Sequence, residues 1–355
     1  MPHEKWNPFI RLITESDPPR CQVPALLGPP KQSACFSICN ERLEVDSTAA
    51  LRYFVHPPPQ VNLRAGLEQF LNLPEEDRTF QRARRLDNVF TICLHSTNSE
   101  ELLQAQFVTW RGILRKIMFG ERLDLNVSYY RGVLYLEENS RGHDDDSECT
   151  YLGHKFESFC TTASPGGEPD TPDVDMHTLW NTAITRKLGS LNILLVGEVD
   201  CVKPDYGQNP SPENYVELKT RKIKGQIFNT PNRSKWDMQS HLLGAHQIFV
   251  GFHDGAGIVQ KLESFAVRNM ANAQHKIDWG ARVLQGLRDY CARSATTNES
   301  VLPVWRVHSR YGYADIRELG PREVEKLNKN GVPRNGIIPL SFIEGLEKRM
   351  SPVSR

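Results

Sequence analysis

Apolar residues recur at two spacings along this chain, every three or four positions in some stretches and every second position in others. The first spacing gives a helix one buried face, and the second gives a strand one. Helical spacing runs over about 80–95 and about 100–119, where Phe107, Trp110, Leu114 and Ile117 share a face. Asn98 with Glu101 suits a capping box for the second of these. The same spacing returns at about 150–161 with Leu152, Phe156 and Phe159, at about 234–243, and at about 272–292 with Trp279, Val283, Leu287 and Tyr290. Strand-like runs fall at 51–55, 192–202, 213–220, 246–253, 258–266 and 302–309. Another covers 126–137, where Arg131-Gly132 interrupts the alternation as a hairpin turn or bulge does.

Outside these stretches the pattern weakens. Residues 1–34 carry Pro18, Pro19, Pro24, Pro29 and Pro30 with little periodicity, which predicts an extended N-terminal arm over a folded body, with order beginning near Ala34. The acidic run 143–146 and the segment 162–176 read as surface loops. No repeat and no clean linker divides the rest. The expectation is one α/β domain over 35–355, of mixed α+β character, with mixed and antiparallel sheets flanked by helices.

Composition narrows the function classes. The 355 residues are 39% hydrophobic and 24% charged, the balance of a globular protein. Apolar runs such as Ile193–Val196 are far short of the roughly 18 residues a spanning helix needs, so no membrane partner is expected. Met1-Pro2-His3-Glu4-Lys5-Trp6 has neither the apolar core nor the cleavage site of a secretory signal. Of 8 cysteines only Cys35 and Cys39 lie close, without a second ligand pair, which argues for reduced thiols and against zinc. Lys and Arg number 43 against 43 Asp and Glu, which on its face speaks against nucleic acid.

Candidate chemistry gathers on two strands, Gly197-Glu198-Val199-Asp200 and Val216-Glu217-Leu218-Lys219. Alternation points Glu198 with Asp200 and Glu217 with Lys219, leaving Val199 and Leu218 toward the core. The turn-rich link 204–212 suits adjacent antiparallel strands, so three carboxylates and an ammonium share one patch. Like charges that dense call for a cation, and oxygen donors favour a hard metal such as magnesium. Glu157 is a fourth acid, one helical turn beyond Gly153. Gln239 offers an amide, and Trp110-Arg111-Gly112 places a guanidinium, suited to phosphate, beside an aromatic ring. Each short motif alone is an ordinary surface or core feature. Their order, an acid on a helix, then Asp, then Glu-x-Lys, resembles a metal-dependent nuclease core and predicts phosphodiester hydrolysis.

Six motifs in register carry a closer resemblance: Cys35-Phe36-Ser37 followed by Arg42; Phe107–Gly112; Gly153-His154-Lys155-Phe156-Glu157; Gly197–Cys201; Tyr215–Thr220; and Trp236–Ser240 into Val250-Gly251-Phe252. From about Cys35 to Gln260 the chain resembles the DXO/Rai family of RNA 5′-end decapping nucleases, in its fungal Rai/Dxo-like form. The resemblance implies that Glu157, Glu198, Asp200, Glu217 and the Leu218 carbonyl hold one or two magnesium or manganese ions. It implies catalytic roles for Glu198, Asp200, Glu217 and Lys219. Substrate contacts would come from Arg42, Trp110, Arg111, Gly112, Asn181, Glu198, Lys219 and Gln239. His154 and His241 stand where many relatives carry aromatic residues, and Arg84 or Arg85 near where they carry an acidic RNA contact.

The implied activity is hydrolysis at RNA 5′ ends: removal of incomplete or unusual caps, NAD-type caps included, release of pyrophosphate from triphosphate ends, or 5′-to-3′ trimming, in nuclear RNA quality control. One competing reading is a largely non-catalytic partner that stabilises a larger 5′-to-3′ exoribonuclease; another keeps the nuclease and changes the substrate to DNA. The charge balance then takes a local meaning. Arg111, Arg115 and Lys116, and Arg221, Lys222 and Lys224, form basic approaches that acidic loops offset elsewhere. Recognition concentrated at a 5′ end, with weak affinity for RNA bodies, is the expectation.

Overall fold

The computed structural model describes residues 9–14, 24–74, 85–139, 148–169, 174–175, 177–223, 232–294, 301–310, 312–328 and 331–350. The acidic run 143–146, Lys224 and the first part of the predicted helix over 80–95 lie outside them. Strands run in order as β1 (Ile10–Thr14), β2 (Lys31–Cys39), β3 (Arg42–Val45), β4 (Tyr53–Phe54), β5 (Phe107–Trp110), β6 (Leu123–Tyr130), β7 (Val133–Glu138), β8 (Thr161–Thr162) and β9 (Thr178–Leu188). Next come β10 (Leu191–Glu198), β11 (Cys201–Val202), β12 (Tyr215–Lys222), β13 (Gln247–His253), β14 (Val259–Ala266), β15 (Trp305–Arg310), β16 (Tyr313–Glu318), β17 (Arg334–Asn335) and β18 (Ile338–Pro339). Helices are α1 (Leu67–Leu71), α2 (Asp87–His95), α3 (Ser99–Leu102), α4 (Arg111–Met118), α5 (Glu148–Cys160), α6 (Arg233–Leu243), α7 (Gln274–Ser294), α8 (Pro321–Leu327) and α9 (Leu340–Met350).

A 10-stranded sheet runs in the order β1-β16-β15-β6-β7-β5-β10-β9-β2-β3, and a 6-stranded sheet runs β14-β13-β12-β11-β4-β8. Both are mixed: β10 and β7 flank β5 in parallel, β12 is parallel to β13, and antiparallel pairs such as β10 with β9 and β13 with β14 adjoin them. This is the mixed α/β architecture read from the sequence. One face of the large sheet packs on α4, α6 and α7, through residues such as Ile117, Met238 and Leu287, and the other on α2 and α9. The hairpin at Arg131-Gly132 forms as a two-residue turn, with φ of 48° and 85° at its corners, the conformation that matches strand twist.

Several elements differ from their predicted form. The N-terminal segment is not only an arm: Ile10–Thr14 pairs with β16 at a sheet edge, and β2 begins at Lys31, ahead of the point near Ala34 where the sequence predicts order to begin. The helix predicted over 100–119 is a strand followed by a shorter helix, because Phe107–Trp110 lies between β10 and β7 and is buried on both faces. Leu114 and Ile117 keep the helical spacing within α4, while a short run covered on both faces, such as Phe107–Trp110, is not separated from a helix by periodicity alone. No capping box forms at Asn98; its amide donates to the Ser33 carbonyl, while Glu101 binds Lys31, Ser33 and Thr185.

Two glycines set how the helices seat against the small sheet. Gly251 of β13 lets the Phe156 ring of α5 lie against that sheet, where an added Cβ would come within 2.5 Å of it. Gly244, in left-handed conformation at φ 91°, ends α6 and turns the chain back into β13.

On the α2 side, Glu137 of β7 is 1% exposed and 3.3 Å from Arg85. Burial pushes its carboxyl up to about 7, with Arg85 and Arg334 opposing the rise. Its folded value thus exceeds its unfolded one, so Glu137 favours the fold below about 4.5 and loses that contribution as pH rises through about 7. A shift of that size corresponds to a few kcal/mol. Chemical denaturation across this window should show the Glu137→Gln variant gaining on the parent as pH rises; parallel pH profiles would refute the assignment.

Candidate active site

At Glu198 the chain leaves the large sheet, and at Cys201 it enters the small one. The predicted strand over 192–202 therefore breaks at Val199-Asp200 and changes sheets. Cys201 pairs with Val216, so the residue before it, Asp200, comes level with Glu217. The Leu218 N–H donates to Asp200 Oδ2 at 2.7 Å and fixes that carboxylate against β12. Val199 and Leu218 are buried, as alternation predicts.

Glu217 is 4% exposed and takes donors from three elements. Lys219 Nζ lies 2.5 Å from Oε1, Gln239 of α6 donates to Oε1 at 2.7 Å, and Arg111 of α4 donates to Oε2 at 3.1 Å. Burial alone would raise the Glu217 carboxyl; Lys219 and Arg111 outweigh it and bring it below the usual value. Asp200 goes the other way. Burial first, then Glu217, push it well above the carboxylate range, with Glu157 and Glu198 adding and Lys219, 3.9 Å away, opposing. Burial would lower the Lys219 ammonium, yet Glu217 and Asp200 raise it, so it stays charged.

Glu157, Glu198 and Asp200 line one cavity of about 80 Å³ together with Arg52, His154 and Trp180. His154 Nδ1 is 3.1 Å from Glu157 Oε2. Asn181 of β9 stands directly opposite Glu198, 3% exposed, with an amide nitrogen that has no partner. The Leu218 carbonyl accepts from Lys219 Nζ at 3.0 Å. Gly112 leaves open space at the start of α4, since a Cβ there would meet nothing within 4 Å.

Two residues expected to contact substrate do not line this cavity. Arg42 is exposed at the start of the edge strand β3, outside the cavity lining. Trp110 packs against both cores of the large sheet and donates its indole N–H to the Arg85 carbonyl at 3.3 Å. His241 is held neutral, lowered to about 4 by burial and Arg186, and does not line the cavity. Arg52, to which the sequence pattern assigns no role, does line it. Its signal is a lone charge inside the apolar run Leu51–Val55.

The acids converge electrostatically, but among the described residues no three His, Cys, Asp or Glu side chains stand as a closed metal-ready group. Glu217 is engaged by its cationic and amide partners instead. The all-oxygen donor set nevertheless fits a hard divalent cation, because Asp200 carries an excess of negative neighbours that such an ion offsets.

A carboxylate at a strand crossing, followed on the neighbouring strand by Glu-x-Lys, defines a nuclease of the PD-(D/E)XK type. The model of the family described as RAI1 like PD-(D/E)XK nuclease matches residues 28–342, and the chain belongs to this family. It is 31% identical over 301 residues to the decapping and exoribonuclease protein of Rattus norvegicus, covering 75% of this chain and 74% of that one. To the decapping nuclease RAI1 of Neurospora crassa it is 27% identical over 338 residues, 84% and 80% of the two chains. The fold superposes on Candida albicans Rai1 in complex with pU5-Mn2+ with a TM-score of 0.72, at 19% identity and covering 97% and 100% of the chains. For Scheffersomyces stipitis Rai1 in complex with (3'-NADP)+ and calcium ion the TM-score is 0.73, at 20% identity, covering 96% and 100%. The chain is an enzyme of the RNA decapping nuclease class.

A Cβ added at Gly197 would stand 3.0 Å from Leu243 and 3.2 Å from Arg111 Cβ and Nε. Gly197→Ala should therefore cost about 1–3 kcal/mol of stability and lower turnover through a displaced Arg111. Thermal unfolding and nuclease assays check it; unchanged activity would show that Arg111 is not held in place there.

Proposed function

We propose that this enzyme hydrolyses phosphoanhydride or phosphodiester bonds at RNA 5′ ends, removing incomplete or unusual caps, NAD-type caps included, or pyrophosphate from triphosphate ends. Stepwise 5′-to-3′ trimming from the same centre, and a nuclear role in RNA quality control, belong to the same reading. What supports it is the electrostatic crowding of Asp200 by Glu217, Glu157 and Glu198, with Lys219, Arg111 and Gln239 gathered on Glu217 beside it. Relatives of the same fold held pU5-Mn2+ in one case and (3'-NADP)+ with calcium in another, which supports a nucleotide 5′ end as ligand.

Glu157, Glu198, Asp200, Glu217 and the Leu218 carbonyl would hold one or two ions, magnesium or manganese. Such an ion, when bound, supplies a Lewis acid and an activated water. The protein's own groups do the rest. Lys219 keeps a fixed positive charge beside the acids, where phosphoryl oxygens gain charge during displacement. Arg111 presents a guanidinium fork suited to two phosphate oxygens, and Gln239 an amide donor. Across the cavity, Arg52 and His154 would hold the departing part of the substrate. Asn181 has an unused donor beside Glu198 for the first nucleotide.

The test is incubation with 5′-triphosphate, unmethylated-cap, methylated-cap and NAD-cap RNAs in magnesium or manganese. The Asp200→Ala/Glu217→Ala variant should lose at least about a hundredfold in rate on every RNA the parent cleaves, and Arg52→Ala more than Arg42→Ala. Equal rates for parent and double variant would remove the catalytic assignment. Co-purification from the source cell decides whether a larger 5′-to-3′ exoribonuclease binds as well.

A further inference from the structure

Helices α4 and α6 lie side by side, and each delivers one residue to Glu217, Arg111 from α4 and Gln239 from α6. One turn further along α4 stands Arg115, and one turn back along α6 stands Lys235. These two also meet, on Glu121. Arg115 grips it with two parallel bonds of 2.7 and 3.0 Å, and Lys235 Nζ lies 2.9 Å from Oε1. The pair thus repeats, a helical turn of about 5.4 Å away, the cation-and-donor arrangement at the acidic centre. That step is comparable to the distance between neighbouring phosphates of an extended single strand.

The line continues. Phe119, four residues beyond Arg115, carries the Lys276 ammonium 4.3 Å from its ring centroid. Both residues line a pocket with Trp279, whose indole N–H is buried and without a partner. Cations and aromatic surface therefore alternate away from the centre, the composition of a single-strand track.

The geometry points to Arg115 and Lys235 as a second phosphate subsite, for an internucleotide phosphate of the RNA whose 5′ end occupies the acidic centre, with Glu121 as its built-in competitor. A guanidinium fork plus an ammonium around a planar carboxylate suits phosphate oxygens equally well. Lys235 is 44% and Glu121 26% exposed, so the site opens to solvent and the carboxylate can be displaced from it. The inference rests on the proposed RNA 5′-end function and adds the path of the RNA body.

Binding of 5′-phosphorylated pentauridylate and of uridine 5′-monophosphate, measured by competition in calcium, tests it. Arg115→Ala/Lys235→Ala should weaken the pentamer about tenfold, reduce the slope of log affinity against log salt by about 0.7, and leave the mononucleotide unchanged. Glu121→Gln should tighten the pentamer several-fold, an effect opposite to that of a broken structural ion pair. If the parent binds the pentamer and all variants bind it equally, the subsite is refuted while the 5′-end reading stands. Equal weakening of both ligands would mean a structural role only, and also refutes it. If the parent binds neither ligand, both readings fall.

Discussion

The buried charge of Glu217 is the constraint around which this molecule is arranged. A carboxylate 4% exposed is tolerable only with partners, and losing one partner of such a pair typically costs roughly 3–5 kcal/mol. Its partners come from α4, α6 and β12 itself, so the two helices and the small sheet are held together at one point. The surrounding small residues serve that meeting. Gly197 makes room for Arg111, Gly244 ends the helix that carries Gln239, and Gly251 lets α5 approach with Glu157.

Much of this is legible in the sequence because the chemistry-bearing residues sit on short regular elements. Alternation places Glu217 with Lys219 and buries Leu218 between them, and the helices over 150–161, 234–243 and 272–292 follow their apolar faces closely. Long-range pairing is not legible. β9, an 11-residue strand lying between β10 and β2, reads in the sequence only as a segment leading to the acids, although it brings Asn181 opposite Glu198. Phe107–Trp110 passes for part of a helix because a strand covered on both faces has no exposed positions to alternate with the buried ones. Arg52 escapes the pattern because its cavity exists only once β4, α5 and the strand crossing are brought together.

The neutral total charge also resolves at the level of individual groups. Arg115 and Lys235 are answered by Glu121, and Lys116 by Glu138 at 2.7 Å, so the basic line leading from the acids is short and internally compensated. A chain with equal acid and base counts can thus present opposite charges within a few residues of each other.

The crossing between the sheets has a mechanical side. Glu198 is the last residue of its strand in the ten-stranded sheet and Glu217 belongs to the six-stranded one, with Asp200 in the two-residue span between. The opening between these oxygens is therefore set by the dihedral angle at which two stiff plates meet, as the gap of a caliper is set at its hinge.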